Sequence, residues 1–188
     1  MTDTTTDRER IVEAAERLFY GHGIQAVGMD AVRTEAGVPL KRLYAAFPSK
    51  DALLIEVMHY QTGIWDAGIA GAAAAATSPA DKLLAIFDFL DDWFRADDFR
   101  GCGFINAFGE MGASSPEVAR VAREQKAAFQ HYVSGLVEQL GAPPVLASQL
   151  ALLAEGAQTT AAIGRNPEVA SHARAAAKTL IDAALATA

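Results

Sequence analysis

Apolar residues recur every three or four positions along most of this chain, which is the spacing of one side of an α-helix. Glycine, proline and serine residues between these stretches end one helix or begin the next. Strand-like alternation is scarce. The pattern therefore predicts an all-α chain of about nine helices. Their predicted ranges are 7–21, 29–36, 39–47, 49–67, 79–96, 102–112 and 115–140, then one helix ending near residue 164 and one over 166–185.

Two segments carry no large apolar side. Residues 1–6 are short, polar and terminal, so we expect them to be disordered. The alanine-rich segment that follows Ala67 contains Gly68 and Gly71. Alanine favours a helix, but the two glycines weaken it, and we expect a loose helix end followed by a loop.

The stretch from Met29 to Lys50 predicts two short helices joined by a tight turn. Gly37 ends the first helix, because glycine adopts a left-handed backbone conformation without a steric cost. Pro39 suits the first turn of the second helix, where its missing N–H is not needed.

The second of these helices has one apolar and one polar side. Leu43 and Phe47 are four residues apart and form the buried side. Lys41, Arg42 and Tyr44 fall outside it. This is the pattern of a helix-turn-helix, in which the second helix is free to enter the major groove of DNA.

The same region resembles the DNA-binding domain of the TetR family of bacterial transcriptional repressors, over roughly residues 8–55. The matching positions are Ile11, Ala14, Ala15, Leu18, Phe19, Gly23, Ala36, Gly37, Val38, Leu43, Tyr44, Phe47, Pro48, Ser49, Lys50, Leu53 and Leu54. The resemblance implies a DNA-binding domain over residues 1–50 and a ligand-binding and dimerisation domain over 51–188. It also implies a homodimer that represses transcription and leaves its palindromic or near-palindromic operator when a small, largely apolar molecule binds.

Two departures from the family pattern affect the predicted DNA-binding domain over residues 1–50, which we call the head. Gly28 stands where the family has a capping Thr or Ser, so the cap of the second helix is weak, and Asp30 compensates only in part. Ala45 and Ala46 replace a polar or aromatic pair, which removes a phosphate contact that is common in the family. Arg33 and Arg42 are candidates to replace that contact.

We expect DNA contacts from the second helix of the motif and from its neighbours. Arg42 can donate two hydrogen bonds to guanine, and Lys41 can reach a base or a phosphate. Tyr44 resembles the family's phosphate-contacting tyrosine, and Lys50 stands at a helix start, where a phosphate is favoured. The full predicted set is Arg33, Pro39, Leu40, Lys41, Arg42, Tyr44 and Lys50.

The helices after residue 79 hold more aromatic residues than a minimal scaffold needs, with polar groups among them. A mostly apolar pocket with a few polar groups is typical of a small-molecule site. A solid core is the alternative interpretation of the same residues. The candidate ligand-binding residues are Trp65, Phe87, Trp93, Phe104, Asn106, Phe108, Glu110, Gln125, Phe129 and Gln158.

The last two helices each have a side of leucine and small residues, which permits close helix approach in a four-helix dimer interface. Packing against the chain's own core is the alternative. The candidate interface residues are Leu150, Leu153, Ala154, Ala157, Ala161, Ala173, Ala176 and Leu180.

The net charge of −7 is concentrated outside the head: residues 1–50 hold seven basic and seven acidic residues, and residues 33–50 hold four basic and one acidic. The local field of the head is therefore compatible with DNA. No apolar run reaches 18 residues, the start is not a signal peptide, and the single cysteine excludes an internal disulfide framework. We expect a cytoplasmic protein without membrane contact, cofactor or metal.

Two other classes of function remain open. A helical protein–protein interaction module explains the helices but not the exposed Lys41, Arg42 and Tyr44. A hydrolase would use Cys102 as its nucleophile or the clustered carboxylates near residues 91–98, yet no histidine is close to Cys102 in sequence and the four histidines lack metal-ligand spacing.

Overall fold

The computed structural model describes residues 6–186, which form nine α-helices and no β-strand. The prediction of an all-α chain is confirmed. The helices are α1 (Asp7–His22), α2 (Met29–Ala36), α3 (Leu40–Ala46), α4 (Lys50–Ala73), α5 (Pro79–Phe94), α6 (Gly103–Met111), α7 (Pro116–Leu140), α8 (Val145–Gly164) and α9 (Val169–Ala186). The predicted disordered start falls on residues 1–5, which lie outside the described residues, and on Thr6, which caps α1.

Helix starts follow the predicted caps. The Ser78 side chain accepts a hydrogen bond from the backbone N–H of Asp81, with Pro79 in the first turn of α5. Ser49 likewise accepts from the N–H of Ala52 at 3.0 Å at the start of α4. Side-chain oxygens satisfy these N–H groups because the first turn of a helix has no backbone acceptor for them.

The end of α4 corrects a prediction. The helix continues through Gly68 and Gly71 to Ala73 instead of ending near Ala67. Each glycine costs about 1 kcal/mol relative to alanine, but the neighbouring alanines have the highest helix propensity and extend the helix across both positions. The predicted loop shrinks to the few residues before Ser78.

The described residues pack into two compact units. Unit 1 holds the chain up to Ile64 and residues Gly103–Arg123. In it α1 packs against α2 and α3, and the three helices bury Ile11, Val32 and Leu43 completely. Burial of these apolar side chains stabilises the short helices α2 and α3, which are too short to persist alone.

Unit 2 holds Trp65–Cys102 and the chain from Glu124 onward. Helices α5, α8 and α9 pack on one another in this unit. Its core includes Leu83, Phe87, Leu90 and Leu150, each at most 2% exposed. The apolar residues of α5 cover much of its circumference, and the structure confirms that this helix is largely buried.

Candidate nucleic-acid interface

The turn between α2 and α3 has the geometry that the sequence predicts. Gly37 lies in the left-handed region at φ 65° and ψ 34°. The N–H of Gly37 donates to the Thr34 carbonyl, and the N–H of Val38 donates to the Arg33 carbonyl at 3.1 Å. This pair of bonds is a Schellman motif, and it satisfies the last carbonyls of α2. Pro39 stands one position earlier than expected, as the N-cap of α3.

Helix α3 has a buried and an exposed side. Leu43 is fully buried and Phe47, directly after the helix, is 2% exposed. The predicted contact residues on this helix and its cap all lie on the exposed side; these are Pro39, Leu40, Lys41, Arg42 and Tyr44. Two basic side chains and a tyrosine hydroxyl are donors suited to base edges and phosphates.

The other two predicted contact residues flank α3. Arg33 is half-buried on α2, and its Nε donates to Asp30 Oδ1 at 2.6 Å. Lys50 is the first residue of α4, and its Nζ lies 5.7 Å from the centre of the Phe19 ring. Gly28 gives α2 no side-chain cap, as the departure from the family pattern predicts.

The first turn of α1 binds both ends of α3. Arg42 Nη1 donates to Asp7 Oδ2 at 2.6 Å, near the start of α3. Arg8 Nη1 donates to the Ala46 carbonyl at 3.1 Å, at its end, and the Arg8 guanidinium lies 4.3 Å above the Phe47 ring. We call this pair of contacts, made by Asp7 and Arg8, the first-turn clasp. Nothing in the local sequence predicts it, because its partners are more than thirty residues apart.

Charge at the clasp favours the ionised form of Asp7. The hydrogen bond from Arg42, followed by that from Arg10, holds the pKa of Asp7 below its usual value. A lowered carboxyl pKa means that the Asp7–Arg42 ion pair persists throughout the neutral range.

Helix α6 supports the turn between α1 and α2. The Glu110 carboxylate accepts hydrogen bonds from the backbone N–H of Ile24 at 3.1 Å and of Gln25 at 2.9 Å. The Gln25 side chain returns a bond to the Glu110 carbonyl at 2.9 Å. Glu110, a predicted ligand-binding residue, therefore serves as the acceptor for a turn of the head.

Replacing Glu110 with alanine should lower the free energy of unfolding by about 1–2 kcal/mol, because Ile24 and Gln25 lose the acceptor for their N–H groups. Urea denaturation measures this change. Glu117→Ala is the matched control, since Glu117 forms an exposed ion pair with Arg120 and accepts no backbone hydrogen bond from the turn, so its loss should change the stability by less than about 0.5 kcal/mol. Equal losses in the two variants would contradict this role for Glu110.

The predicted ligand-binding residues divide between the two units. Phe104, Asn106, Phe108 and Glu110 lie in unit 1. Asn106 and Glu110 line a cavity of about 80 Å³ there, and Phe108 is 47% exposed. The other six residues lie in unit 2: Trp65, Phe87, Trp93, Gln125, Phe129 and Gln158.

An aromatic cluster occupies part of unit 2. The Trp65 ring packs edge-on against Trp93 at 5.8 Å, Phe129 at 5.6 Å and Phe89 at 5.4 Å between centroids. Two glutamines of unit 2 are buried as well. The Oε1 atoms of Gln125 and Gln158 accept no hydrogen bond from any of the described residues. A buried acceptor without a donor is costly, which sets these two amides apart from an ordinary apolar core.

The predicted dimer-interface residues lie mostly inside the subunit. Those buried in its own core are Leu150, Ala154, Ala157, Ala161 and Ala173, whereas Leu153 and Leu180 are half-buried and Ala176 is exposed. The exposed side of α8 instead carries Leu152 at 74% and Ile163 at 83% exposure, with Gly156 between them. This second side is open in the single subunit, so it is a further candidate surface for a dimer.

The residues that a hydrolase would use, Cys102 and the carboxylates near residues 91–98, include a buried thiol and an ion-paired aspartate. Cys102 is buried, and its Sγ lies 3.2 Å from Lys126 Nζ, which pairs with Glu155. Asp91 pairs with Arg95. Between residues 6 and 186 no group of His, Cys, Asp and Glu side chains is arranged to hold a metal ion. Over the same range, no helix combines the length and apolar character needed to span a bilayer.

Comparison with known proteins agrees with the geometry of the head. Residues 11–57 match the family model of bacterial regulatory proteins, TetR family. The chain is 33% identical over 135 residues to the HTH-type transcriptional regulator LmrA of Bacillus subtilis, covering 71% of this chain and 70% of LmrA. It is 26% identical over 165 residues to the regulator YjdC of Escherichia coli, covering 85% of both chains.

Solved structures share the whole fold. The TetR-family regulator SCO4454 of Streptomyces coelicolor superposes with a TM-score of 0.88 at 25% identity, covering 95% of this chain and 96% of that one. The TetR regulator sav143 of Streptomyces avermitilis gives a TM-score of 0.82 at 32% identity, covering 95% and 98%. With its helix-turn-helix, its nine described helices and these relatives, the chain belongs to the TetR family of DNA-binding transcriptional regulators, which are not enzymes.

Proposed function

We propose that the protein is a dimeric repressor that binds a palindromic or near-palindromic operator through α3 and leaves it when a small, largely apolar molecule binds. The observation that carries the proposal is the exposed side of α3, where Lys41, Arg42 and Tyr44 stand on a helix whose other side is fully buried. The alternative of an interaction module without DNA binding leaves that side unexplained.

Each exposed side chain has a role in this proposal. The planar guanidinium of Arg42 donates two hydrogen bonds to guanine in the major groove. Lys41 and the Tyr44 hydroxyl contact phosphates beside it, and Lys50 adds a cation at the start of α4. Arg33 contacts the sugar–phosphate backbone of the DNA from α2, while Pro39 and Leu40 lie against the major groove. The acidic remainder of the chain disfavours contact with DNA through any other surface.

One head offers too few contacts for tight specific binding, so we propose a homodimer. Two recognition helices about 34–36 Å apart would read two half-sites on one side of the duplex. The exposed side of α8 supports this, because Leu152 and Ile163 are large apolar residues left in solvent by the single subunit. The small residue Gly156 between them allows a partner helix to approach closely.

Replacing Ile163 with glutamate should convert the dimer to monomers at micromolar concentration, because the carboxylate would be desolvated at the interface. Analytical ultracentrifugation measures the mass. Ile64→Glu is the matched control, since Ile64 is also exposed but lies on α4, outside this surface. A dimeric Ile163→Glu variant would place the interface elsewhere, and a monomeric wild-type protein would contradict dimerisation itself.

The aromatic cluster of unit 2 and the buried Oε1 atoms of Gln125 and Gln158 support an effector site in the C-terminal part of the chain. An apolar ligand with a hydrogen-bond donor would bury its rings against Trp65, Phe87, Trp93 and Phe129 and supply the donor that a buried amide lacks. Four residues of the predicted set lie in unit 1, namely Phe104, Asn106, Phe108 and Glu110. We propose no direct ligand contact for Glu110, because its carboxylate already accepts from the N–H groups of Ile24 and Gln25. Release follows if the ligand binds more tightly to a conformation that does not fit the operator.

The functional division of the chain is also part of the proposal. Residues 1–50 are assigned DNA binding, and residues 51–188 are assigned effector binding and dimerisation. The packing of unit 1, which also includes residues up to Ile64 and Gly103–Arg123, means that part of the second domain supports the head structurally. A repressor of this kind acts in the cytoplasm, where the DNA is.

The test combines a reporter and a binding assay. Full-length protein is titrated by fluorescence anisotropy against duplexes tiled across the region beside its own gene, and the tightest duplex is then placed upstream of a reporter. We expect transcription to fall when the protein is expressed and to recover with an apolar effector found by thermal-shift screening. An increase in transcription would show an activator, and failure to bind any duplex would contradict the proposal.

A further inference from the structure

Asp7 occupies a fixed position beside the proposed base-reading residue. It is the first residue of α1, directly after the N-cap Thr6. Thr6 and Glu9 form a reciprocal capping box: the Thr6 side chain accepts from the Glu9 N–H, and the Glu9 side chain accepts from the Thr6 N–H at 2.6 Å. Because two hydrogen bonds hold this turn, the backbone of Asp7 is anchored before its side chain makes any contact.

The Asp7 carboxylate bridges two arginines. One oxygen, Oδ2, accepts from Arg42 Nη1 at 2.6 Å, and the other, Oδ1, accepts from Arg10 Nη2. Arg10 lies on the same turn of α1, so it holds the carboxylate in place while Arg42 approaches from α3. An aspartate anchored on both sides constrains the direction in which the Arg42 guanidinium points.

The contact leaves most of the Arg42 donors available. A guanidinium has five N–H donors, and the hydrogen bond to Asp7 uses only Nη1. The Arg42 side chain remains 67% exposed. The Nη2 side of the same plane can therefore face a base while Nη1 stays on the carboxylate.

The ion pairs of Asp7 and its place in the first turn of α1 stabilise the head only modestly. Ion pairs at the surface contribute little to stability, and a carboxylate beside a DNA-contacting arginine repels phosphate. Asp7 therefore lowers the affinity of the head for DNA of every sequence. A fixed arginine lowers the entropy lost on forming a two-bond contact with guanine, and it makes contacts with the wrong base poorer.

We propose that Asp7 is a positioning residue that sharpens the selection of guanine by Arg42. The proposal rests on the proposed function, in which Arg42 reads the operator. It makes Asp7 a determinant of sequence specificity that lies on the first helix, outside the recognition helix itself.

The experiment selects bound sequences from a duplex library with a randomised core, using the full-length wild-type protein and the Asp7→Asn, Arg42→Ala and Glu35→Gln variants. Dissociation constants are then measured for the selected duplex, for duplexes with single base-pair changes, and for an unrelated duplex. Glu35→Gln is the matched control, because it also removes one carboxylate from an exposed ion pair in the head, that with Arg17.

Arg42→Ala should abolish the preference for guanine at one position of each half-site. Asp7→Asn should reduce discrimination at that same base pair by about tenfold, part of the contribution of a bidentate contact, while affinity for the unrelated duplex is unchanged or higher. Its thermal midpoint should stay within a few degrees of wild type, because an exposed pair contributes little to stability. Glu35→Gln should retain the wild-type discrimination.

Three results would overturn the proposal, each in a distinguishable way. If Arg42→Ala leaves the selected sequence unchanged, the base-reading role of Arg42 in the proposed function fails as well. If Arg42→Ala abolishes the guanine preference but Asp7→Asn keeps it in full, only the role of Asp7 fails. If Asp7→Asn weakens binding to all duplexes equally, the carboxylate supports the fold of the head and not its specificity.

Discussion

Replacing Arg42 with alanine is expected to weaken binding to the operator by at least about 30-fold. A two-bond contact with guanine contributes about 1–3 kcal/mol, and a dimer loses two of them, or about 2–6 kcal/mol in total. The variant should fold normally, because Arg42 is exposed and its ion pair with Asp7 contributes little to stability. Fluorescence anisotropy on the selected duplex at fixed salt concentration measures the change.

Arg17→Ala is the control for this prediction. Arg17 is an exposed arginine of α1 that pairs with Glu35, so its loss removes the same charge from the head without touching α3. We expect the Arg17 variant to bind the operator within about threefold of wild type, which corresponds to less than 1 kcal/mol. If both variants lose the same affinity, then net charge and not the position of Arg42 determines binding.

Replacing Phe87 with alanine is expected to lower the free energy of unfolding by about 3–5 kcal/mol. The Phe87 side chain is only 1% exposed in the core of unit 2, and its removal forfeits the transfer free energy of the ring and leaves a cavity. The loss is a large fraction of the 5–15 kcal/mol that is typical of a folded domain. Urea denaturation followed by circular dichroism measures it.

Phe108→Ala is the matched control for Phe87→Ala. Both residues were predicted from the sequence to line a ligand site, but Phe108 is 47% exposed, so truncating it should cost less than about 1 kcal/mol. A similar loss in the two variants would contradict the burial of Phe87 in the core of unit 2. A small loss for Phe87 would mean that the surrounding side chains do not pack tightly against its ring.

Much of the head could be predicted from its sequence because its signals are local. Gly37 and Pro39 mark a turn whose backbone requirements few other residues meet, and Leu43 and Phe47 have the spacing of one helix side. Helix α2 has the predicted bounds Met29–Ala36. The predicted end of α4 was wrong because two opposing local effects nearly cancel there. The alanines favour the helix and the glycines weaken it, and the balance between them decides its length.

The side of a helix that faces the core was harder to predict for α8. This helix is apolar or small almost all round, so its sequence period does not say which side faces inward. The structure places Leu150, Ala154 and Ala157 inside the subunit and leaves Leu152 and Ile163 exposed. The packing of α8 against α5 and α9 determines which of its sides faces the core. The sequence of α8 alone does not contain that information.

The contacts made by Asp7 and Glu110 had no signal in the sequence at all. Asp7 meets Arg42 across 35 positions, and Glu110 meets the turn at Ile24 across 86. Charged residues are common on helix surfaces, so a pair of opposite charges far apart in sequence does not indicate an ion pair. The tertiary arrangement of the helices within unit 1 was needed to find them.

Hydroxyl-radical footprinting of the full-length protein on its selected duplex tests the central claim most directly. We expect two protected patches on one side of the duplex, with centres about 34–36 Å apart. In parallel dimethyl-sulfate footprinting, the wild type should protect the N7 atom of one guanine within each patch, and the Arg42→Ala variant should leave it reactive. A single protected patch, or two patches that the Arg42 variant protects as well as the wild type does, would contradict the claim that paired α3 helices read the operator.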